Sequence, residues 1–214
     1  MKNKLLTILY IVALTCFALT FSISIPICCR FIYFLQIDSL NLVEVTGYSK
    51  DIIVKAYNET LNFLTIPWVE FSTGALKYSS SGASHFKDVK NLFIFNFAIL
   101  ISSAVSVAVL TILNKKGRIS LINFGNKTPY FYSAIINIAL PLLIGVIALI
   151  NFEAVFDVFH YIFFPGKSDW LFNPKTDEII KILPMEFFAS CAVIIGVALI
   201  IISIIYIIID RKKR

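Results

Sequence analysis

Charge is scarce in this chain, and histidine scarcer still. Of its 214 residues only 15% are Asp, Glu, Lys or Arg, against about 25% in an average soluble domain. That shortage excludes an ordinary water-soluble globular protein. The two histidines, His85 and His160, form no H-E-x-x-H pair, and no serine sits in a G-x-S-x-G elbow. The signatures of a zinc hydrolase and of an α/β-hydrolase nucleophile are therefore missing. The four cysteines make no disulfide framework: Cys16 and Cys191 lie inside apolar runs, while Cys28 and Cys29 are adjacent. Vicinal cysteines rarely bridge each other, and this spacing fits no metal motif. There is no internal repeat and no low-complexity tract. The net charge of +6 has no basic face on a soluble domain to gather it, which argues against a nucleic-acid partner.

What the chain has instead is apolar length. Hydrophobic residues make up 58% of it, and its mean hydropathy is +0.85. About 20 consecutive apolar residues span a bilayer as a helix. Four runs qualify, at about 5–27, 92–113, 131–152 and 187–209. The first is too long for the apolar core of a signal peptide and is followed by no clean small-x-small cleavage site. Residues 1–214 thus read as a single α-helical integral membrane domain with four transmembrane helices. Charge orients it. Lys2 and Lys4, the loop bearing Lys115, Lys116, Arg118 and Lys127, and the tail "DRKKR" hold 10 of the 19 basic residues and one of the 13 acids. By the positive-inside rule both termini are cytoplasmic, and the two acid-bearing loops face out.

The first outer loop, about 30–84, is long enough for a small α+β cap on the membrane surface. "LNLVEVTG" partly alternates and ends at glycine, as a strand does. "SKDIIVKAYNETLNFL" starts at a Ser49 N-cap and spaces Ile52, Ile53, Ala56, Leu61 and Leu64 near the helical period. "IPWVEFSTGALKYS" reads as two short extended pieces around a turn at Gly74. The second outer loop, about 153–186, is rich in Phe and broken by Pro165, Gly166 and Pro174. Trp68 and Trp170 suit interfacial depth.

Both histidines fall on the outer continuations of membrane helices, each with an aspartate three residues away: His85 with Asp88, and His160 with Asp157. Residues three and four apart share a helix face, so Asn96 joins the first stripe and Glu153 the second. Ionisable groups at such a depth are functional candidates, and a carboxylate beside a histidine fixes its tautomer and raises its basicity. Zinc or a similar ion on two His and two Asp is a rival reading; the expectation is that no metal is bound and no cofactor is needed. Ser79, Ser80, Ser81 and Ser84 crowd His85, but a serine run before a helix more often makes a turn and an N-cap.

The pattern S-x-x-G-x-x-H-F-x-D-V-K-x-L-F at residues 79–93, with F-D-x-F-H-x-x-F-F-x-G-x-x-D-W-x-F at 156–172, resembles the bacterial lipoprotein intramolecular transacylases. These are small four-span enzymes of Gram-positive plasma membranes. The resemblance extends over nearly the whole chain and implies a substrate and a reaction. The substrate is a lipoprotein whose N-terminal cysteine carries a diacylglyceryl group. Its sn-2 acyl chain moves to the free α-amino group, giving the lyso-form, at a site facing the extracellular side. In this reading His85 is the general base, oriented by Asp88. His160, supported by Asp157, stabilises the oxyanion or acts as acid. Asn96, Glu153, Arg30 and Trp170 stand as further substrate contacts, and membrane lipids are the other partners; no signal fixes an oligomeric state. Two other classes stay open: a hydrolase or acyltransferase acting on a different membrane lipid, and a non-enzymatic assembly or sensor protein with His–Asp latches.

Overall fold

The computed structural model describes residues 3–213; Lys2 and Arg214, counted above among the basic ends, lie outside them. The described chain is helical: α1 (Lys4–Cys28), α2 (Arg30–Ser39), α3 (Leu42–Thr46), α4 (Lys50–Thr65), α5 (Ser80–Lys115), α6 (Pro129–Ile150), α7 (Phe152–Phe163), a 3-10 turn (Glu178–Ile182) and α8 (Met185–Lys212). Helices α1, α5, α6 and α8 are each long and apolar enough to cross a membrane. The 36 residues of α5 reach about 54 Å at about 1.5 Å per residue. That exceeds a hydrocarbon core of about 30 Å, so part of α5 must stand clear of it. Lys87, Asp88 and Lys90 mark the polar end.

The described residues fall into two compact units. One comprises the chain up to Ile25, Asn96–Ile147 and the chain from Val193. Its core is Tyr10, Leu14, Ala18, Ala134, Leu199 and Tyr206. Polar threads run through it: Tyr10 Oη lies 2.7 Å from both Thr111 Oγ1 and Tyr130 Oη, and Thr15 Oγ1 donates to Ser133 Oγ at 3.0 Å. Such inter-helix bonds hold apolar helices in register where lipid offers no hydrophobic drive. Outward-facing Ile101, Leu142 and Val193 are more than 60% exposed, a surface suited to lipid.

The other unit comprises Pro26–Phe95 and Ala148–Ala192. Here Ser49 caps α4, its hydroxyl accepting from the Ile52 amide. The buried face of α4, with Ile53, Ala56, Leu61 and Leu64, packs with Tyr33 and Ile37 of α2 and with Ile179 and Ile182 of the 3-10 turn. Tyr33 stacks on Tyr57 at 3.7 Å and donates its hydroxyl to the Ile182 carbonyl at 2.7 Å. Lys90 is 8% exposed and is tolerated because its ammonium donates to the Val69 carbonyl at 3.1 Å and lies over the Phe63 ring.

Two expectations are corrected. No strand occurs among the described residues, so the expected α+β element is made of helices α2, α3 and α4 followed by an irregular, turn-containing stretch over 66–79. The segment "LNLVEVTG" forms α3, entered through Asn41 in the left-handed region (φ 51°) and closed by Gly47 at φ 73°, whose amide bonds to the Val43 carbonyl. With no neighbouring strand to pair with, its partial alternation satisfies one helical turn equally well. Second, His160 does not ride on a continuation of the third apolar helix. The chain leaves α6 at Ile150, turns extended at Asn151 (φ −155°), and restarts as α7 with the Asn151 carboxamide oxygen capping the Ala154 amide.

Candidate active site

The site lies within the unit of Pro26–Phe95 and Ala148–Ala192 and begins with how α5 starts. Ser79 caps the helix, its hydroxyl oxygen accepting from the Gly82 amide at 2.9 Å. Asp177 accepts from both the amide and the hydroxyl of Ser79, each at 2.8 Å, and from Thr176 Oγ1 at 2.8 Å. An anion at a helix N-terminus is favourable. Burial pushes the Asp177 carboxyl up, but these bonds outweigh it and hold it below the usual carboxylate range. Gly82 has no side chain to hold Asp177 and Phe172 off: a Cβ there would meet Phe172 Cε1 at 3.1 Å and run into the Asp177 carboxylate. Phe172 in turn sets its ring against that of His85, centroids 5.5 Å apart at 76°.

One loop after α7 furnishes the rest. The chain passes Gly166 at φ 74°, a conformation glycine adopts at little cost. Three of the next four residues then each meet a different helix residue. The ammonium of Lys167 bonds to Asp88, Asp169 Oδ1 stands 3.7 Å from His85 Nδ1, and Trp170 stacks on His160 at 4.6 Å and 25°. Trp170 Nε1 donates back to the Lys167 carbonyl at 3.1 Å, tying the loop to itself. Lys167 is held above its ordinary range, first by the bond to Asp88.

The two imidazoles, from α5 and α7, are thereby brought ring to ring, with centroids 5.7 Å apart. Both are nearly closed off from solvent, His85 at 4% and His160 at 6% exposure, with Phe156 and Phe164 beside them. His160 Nδ1 lies 2.7 Å from the Phe156 carbonyl of its own helix. A carbonyl only accepts, so Nδ1 carries the hydrogen and Nε2 of the neutral ring presents a lone pair. Burial pushes the His160 imidazole below its ordinary value, against the opposing pull of the Phe156 carbonyl and the Asp157 charge.

The sequence-derived set is thus only partly assembled. His85, His160 and Trp170 meet. Asp88 lies one helical turn from His85 but is engaged by Lys167, so the carboxylate that reaches His85 is that of Asp169. Asp157 acts on His160 through its charge, while the hydrogen bond that orients the ring comes from the Phe156 carbonyl. Glu153 is exposed in the first turn of α7. Arg30 is spent on Asn58 and Asn62 of α4, at 2.7 and 2.5 Å. Asn96 belongs to the other unit, where its amide nitrogen donates to Ser24 Oγ at 2.8 Å. Asp169, Lys167 and Asp177 are the additions. The first stands in the D-W of the second motif, the only signal that pointed to it. Among the described residues no group of three or more His, Cys, Asp and Glu side chains converges as a metal site would require.

The family model of the lipoprotein intramolecular transacylase Lit matches residues 8–188. The membrane-integral Lit transacylase of Bacillus cereus shares the fold: a TM-score of 0.86 at 24% identity, covering 96% of this chain and 93% of that one. Two further structures of the same protein, each with one histidine replaced, by arginine or by alanine, give TM-scores of 0.81. An uncharacterised protein of Aquifex aeolicus is 32% identical over 123 residues, 55% of this chain and 51% of its own length, so the match spans about half of that relative. Since the family model extends over most of the chain and takes in both histidine motifs, this multi-pass membrane protein belongs to the lipoprotein intramolecular transacylase family and is an acyltransferase.

Proposed function

We propose that the chain moves the sn-2 acyl chain of a diacylglyceryl-modified lipoprotein onto the α-amino group of the same molecule's N-terminal cysteine. The observation that carries this is the buried pair His85–His160, two proton-transfer groups in one aromatic pocket. Donor ester and acceptor amine belong to one substrate, so the enzyme's task is orientation and proton management rather than a covalent relay. His85 takes a proton from the amine as its nitrogen attacks the ester carbonyl carbon. The resulting imidazolium faces the developing oxyanion and favours it. The carbon–oxygen bond to glycerol then breaks, and the proton reaches the departing glyceryl oxygen through Nε2 of His160. One N–C bond replaces one O–C bond and one proton passes from nitrogen to oxygen, so no acyl-enzyme forms and no co-reactant is consumed. Phe156, Phe164, Phe172 and Trp170 keep bulk water from the ester, which favours aminolysis over hydrolysis. The site faces the extracellular side of a bacterial plasma membrane, with both termini cytoplasmic.

The test is the mass and fragmentation of a lipoprotein's N-terminal peptide from cells with this protein as the sole N-acylating enzyme. An N-acyl, S-monoacylglyceryl cysteine is expected. Release of free fatty acid, or acylation of a second molecule, points instead to a hydrolase or an intermolecular acyltransferase. Because the transfer is intramolecular the total mass stays that of the diacylglyceryl form, and the fragments decide: both acyl chains still on the glycerol in the presence of folded protein refutes the proposal.

A further inference from the structure

His85 Nδ1 and Asp169 Oδ1 are both shut off from solvent, and both lack a hydrogen-bond partner. They face each other across 3.7 Å, too far for a direct bond. Buried polar groups in folded proteins are nearly always paired, so two orphans pointing at one another leave a hydrogen-bonding need that neither meets for the other. A neutral imidazole has one N–H and one lone pair; in the tautomer that makes Nδ1 the base, with the hydrogen on Nε2, Nδ1 presents its lone pair, and a carboxylate oxygen only accepts. Two acceptors this close call for a donor with at least two hydrogens, set about 2.9 Å from each. No neighbouring side chain supplies it. The Lys167 ammonium is on Asp88 and the Trp170 N–H is on the Lys167 carbonyl.

We propose that this gap between Asp169 and His85 seats the substrate's α-amino group. The inference rests on the transacylase reading and names the amine subsite within it. A primary amine brings the two or more N–H bonds the gap lacks, and Asp169 attracts its ammonium form, which predominates near neutral pH because the α-amino group titrates at about 7.7–8.0. His85 Nδ1 then takes the first of the two protons the ammonium must lose, which frees the lone pair for attack, and this proton goes on to the glyceryl oxygen. The second leaves the new amide nitrogen for bulk water. The base that activates the amine is thus also one of the atoms that holds it. The carboxylate does not exchange protons; it fixes where the nitrogen stands. Asp169 is on this account a binding residue for the amine, a role distinct from orienting the imidazole.

The experiment compares equilibrium binding of two diacylglyceryl lipopeptides to the full-length protein in lipid nanodiscs: one with a free α-amine and a desamino analogue with hydrogen in its place. The wild-type protein is expected to bind the amine form about 10–100-fold more tightly, the scale of hydrogen bonds to a charged group. In D169N and D169S that preference should shrink to about threefold or less, with affinity for the desamino lipopeptide unchanged. That unchanged affinity also shows the variants are folded. Equal affinity for both lipopeptides in the wild-type protein overturns the proposal whatever the variants do. So does a full preference persisting in D169N, which would leave the gap to a bridging water. Turnover of the amine lipopeptide, read separately in the wild-type protein from fragment ions that place an acyl chain on the α-amine, tests the transacylase reading itself: binding preference without turnover sinks that reading, and turnover without the preference sinks only the amine seat.

Discussion

The rings of His85 and His160 lie 5.7 Å apart, centroid to centroid, with their planes inclined by 33°. They arrive from α5 and α7 and share a pocket that excludes most solvent. In such surroundings each ring disfavours a positive charge on the other, so the pair is suited to carry one proton between them rather than one each.

Replacing either histidine should therefore end the reaction and not the fold. Positioned acid–base groups supply about 10²–10⁴-fold each, so H85A and H160A should each lose more than about a hundredfold in lyso-form yield while the protein still accumulates in the membrane. Because the two act on one proton, the double variant should lose far less than the product of the single losses. Single-turnover rates on a diacylglyceryl lipopeptide measure this. A fully multiplicative double loss would mean that the two rings work independently.

Asp88 and Lys167 hold each other, which makes them a latch on the loop that delivers Asp169 and Trp170. D88N and K167M should each lower the rate by about tenfold or less, and the double variant should be no worse than the worse single one. An exposed ion pair of this kind is worth about 1 kcal/mol or less. If D88N alone matched the loss in H85A, Asp88 would be orienting the histidine directly.

The acid limb of activity should fall below the ordinary imidazole range. Burial lowers the His160 value against the opposing pull of the Phe156 carbonyl and the Asp157 charge from its own helix, and the His85 ring from α5 faces it. The neutral ring is the competent one, so the rate should hold as pH falls past about 6.5 and drop only beneath it. The linkage has the same sign. Where the folded value lies below the unfolded one, the unfolded chain binds more protons, and stability is lost as pH falls through about 6.5. Rate and thermal unfolding measured from pH 5 to 8 test both. A rate already halved at pH 7 on the acid side contradicts the burial argument.

The proposed orientation is checked by labelling single cysteines at Ser81 and Gly117 in a cysteine-free background. An impermeant thiol reagent added to intact cells should modify position 81 and spare 117. The reverse result would put the histidines on the cytoplasmic side.

How much of this could be read in advance follows from how local each determinant is. The four apolar helices are legible because a bilayer demands some twenty apolar residues in a row, and α4 is legible because Ser49 caps it and its buried positions keep a helical period. The partial alternation in "LNLVEVTG" was misleading because a few residues cannot tell a strand from one helical turn. The break at Asn151 was hidden because apolar residues continue past it, though the asparagine is a good N-cap. The partner of Asp88 was out of reach. Spacing by three puts a carboxylate near His85, but it cannot say that a lysine 79 positions later takes that carboxylate first and leaves the imidazole to Asp169.

Gly82 offers the sharpest test that the start of α5 is built around Asp177. The carboxylate accepts three hydrogen bonds from Ser79 and Thr176 because the missing side chain at Gly82 lets it and Phe172 come against the helix. In G82A a methyl group would enter the space of Asp177 and Phe172. Both are fixed, one by its bonds and the other by the His85 and Phe86 rings, so overpacking should cost about 1–3 kcal/mol. D177N should cost a similar amount by weakening the charge-assisted bonds at the cap. With its folded value held low, Asp177 contributes stability that is present above the ordinary aspartate range near 3.9 and fades as pH falls below it; D177N should lose that part of the acid dependence. S79A should destabilise in the same way, yet S80A, S81A and S84A should be nearly silent in stability, and all four serine variants should keep substantial activity when folded, since the proposed intramolecular transfer needs no acyl-enzyme. Thermal unfolding in detergent, run beside lyso-form yield, separates the two effects. A G82A protein as stable as the wild type would mean that Phe172 and Asp177 can withdraw freely, and the link from Gly82 to the placement of His85 would fail.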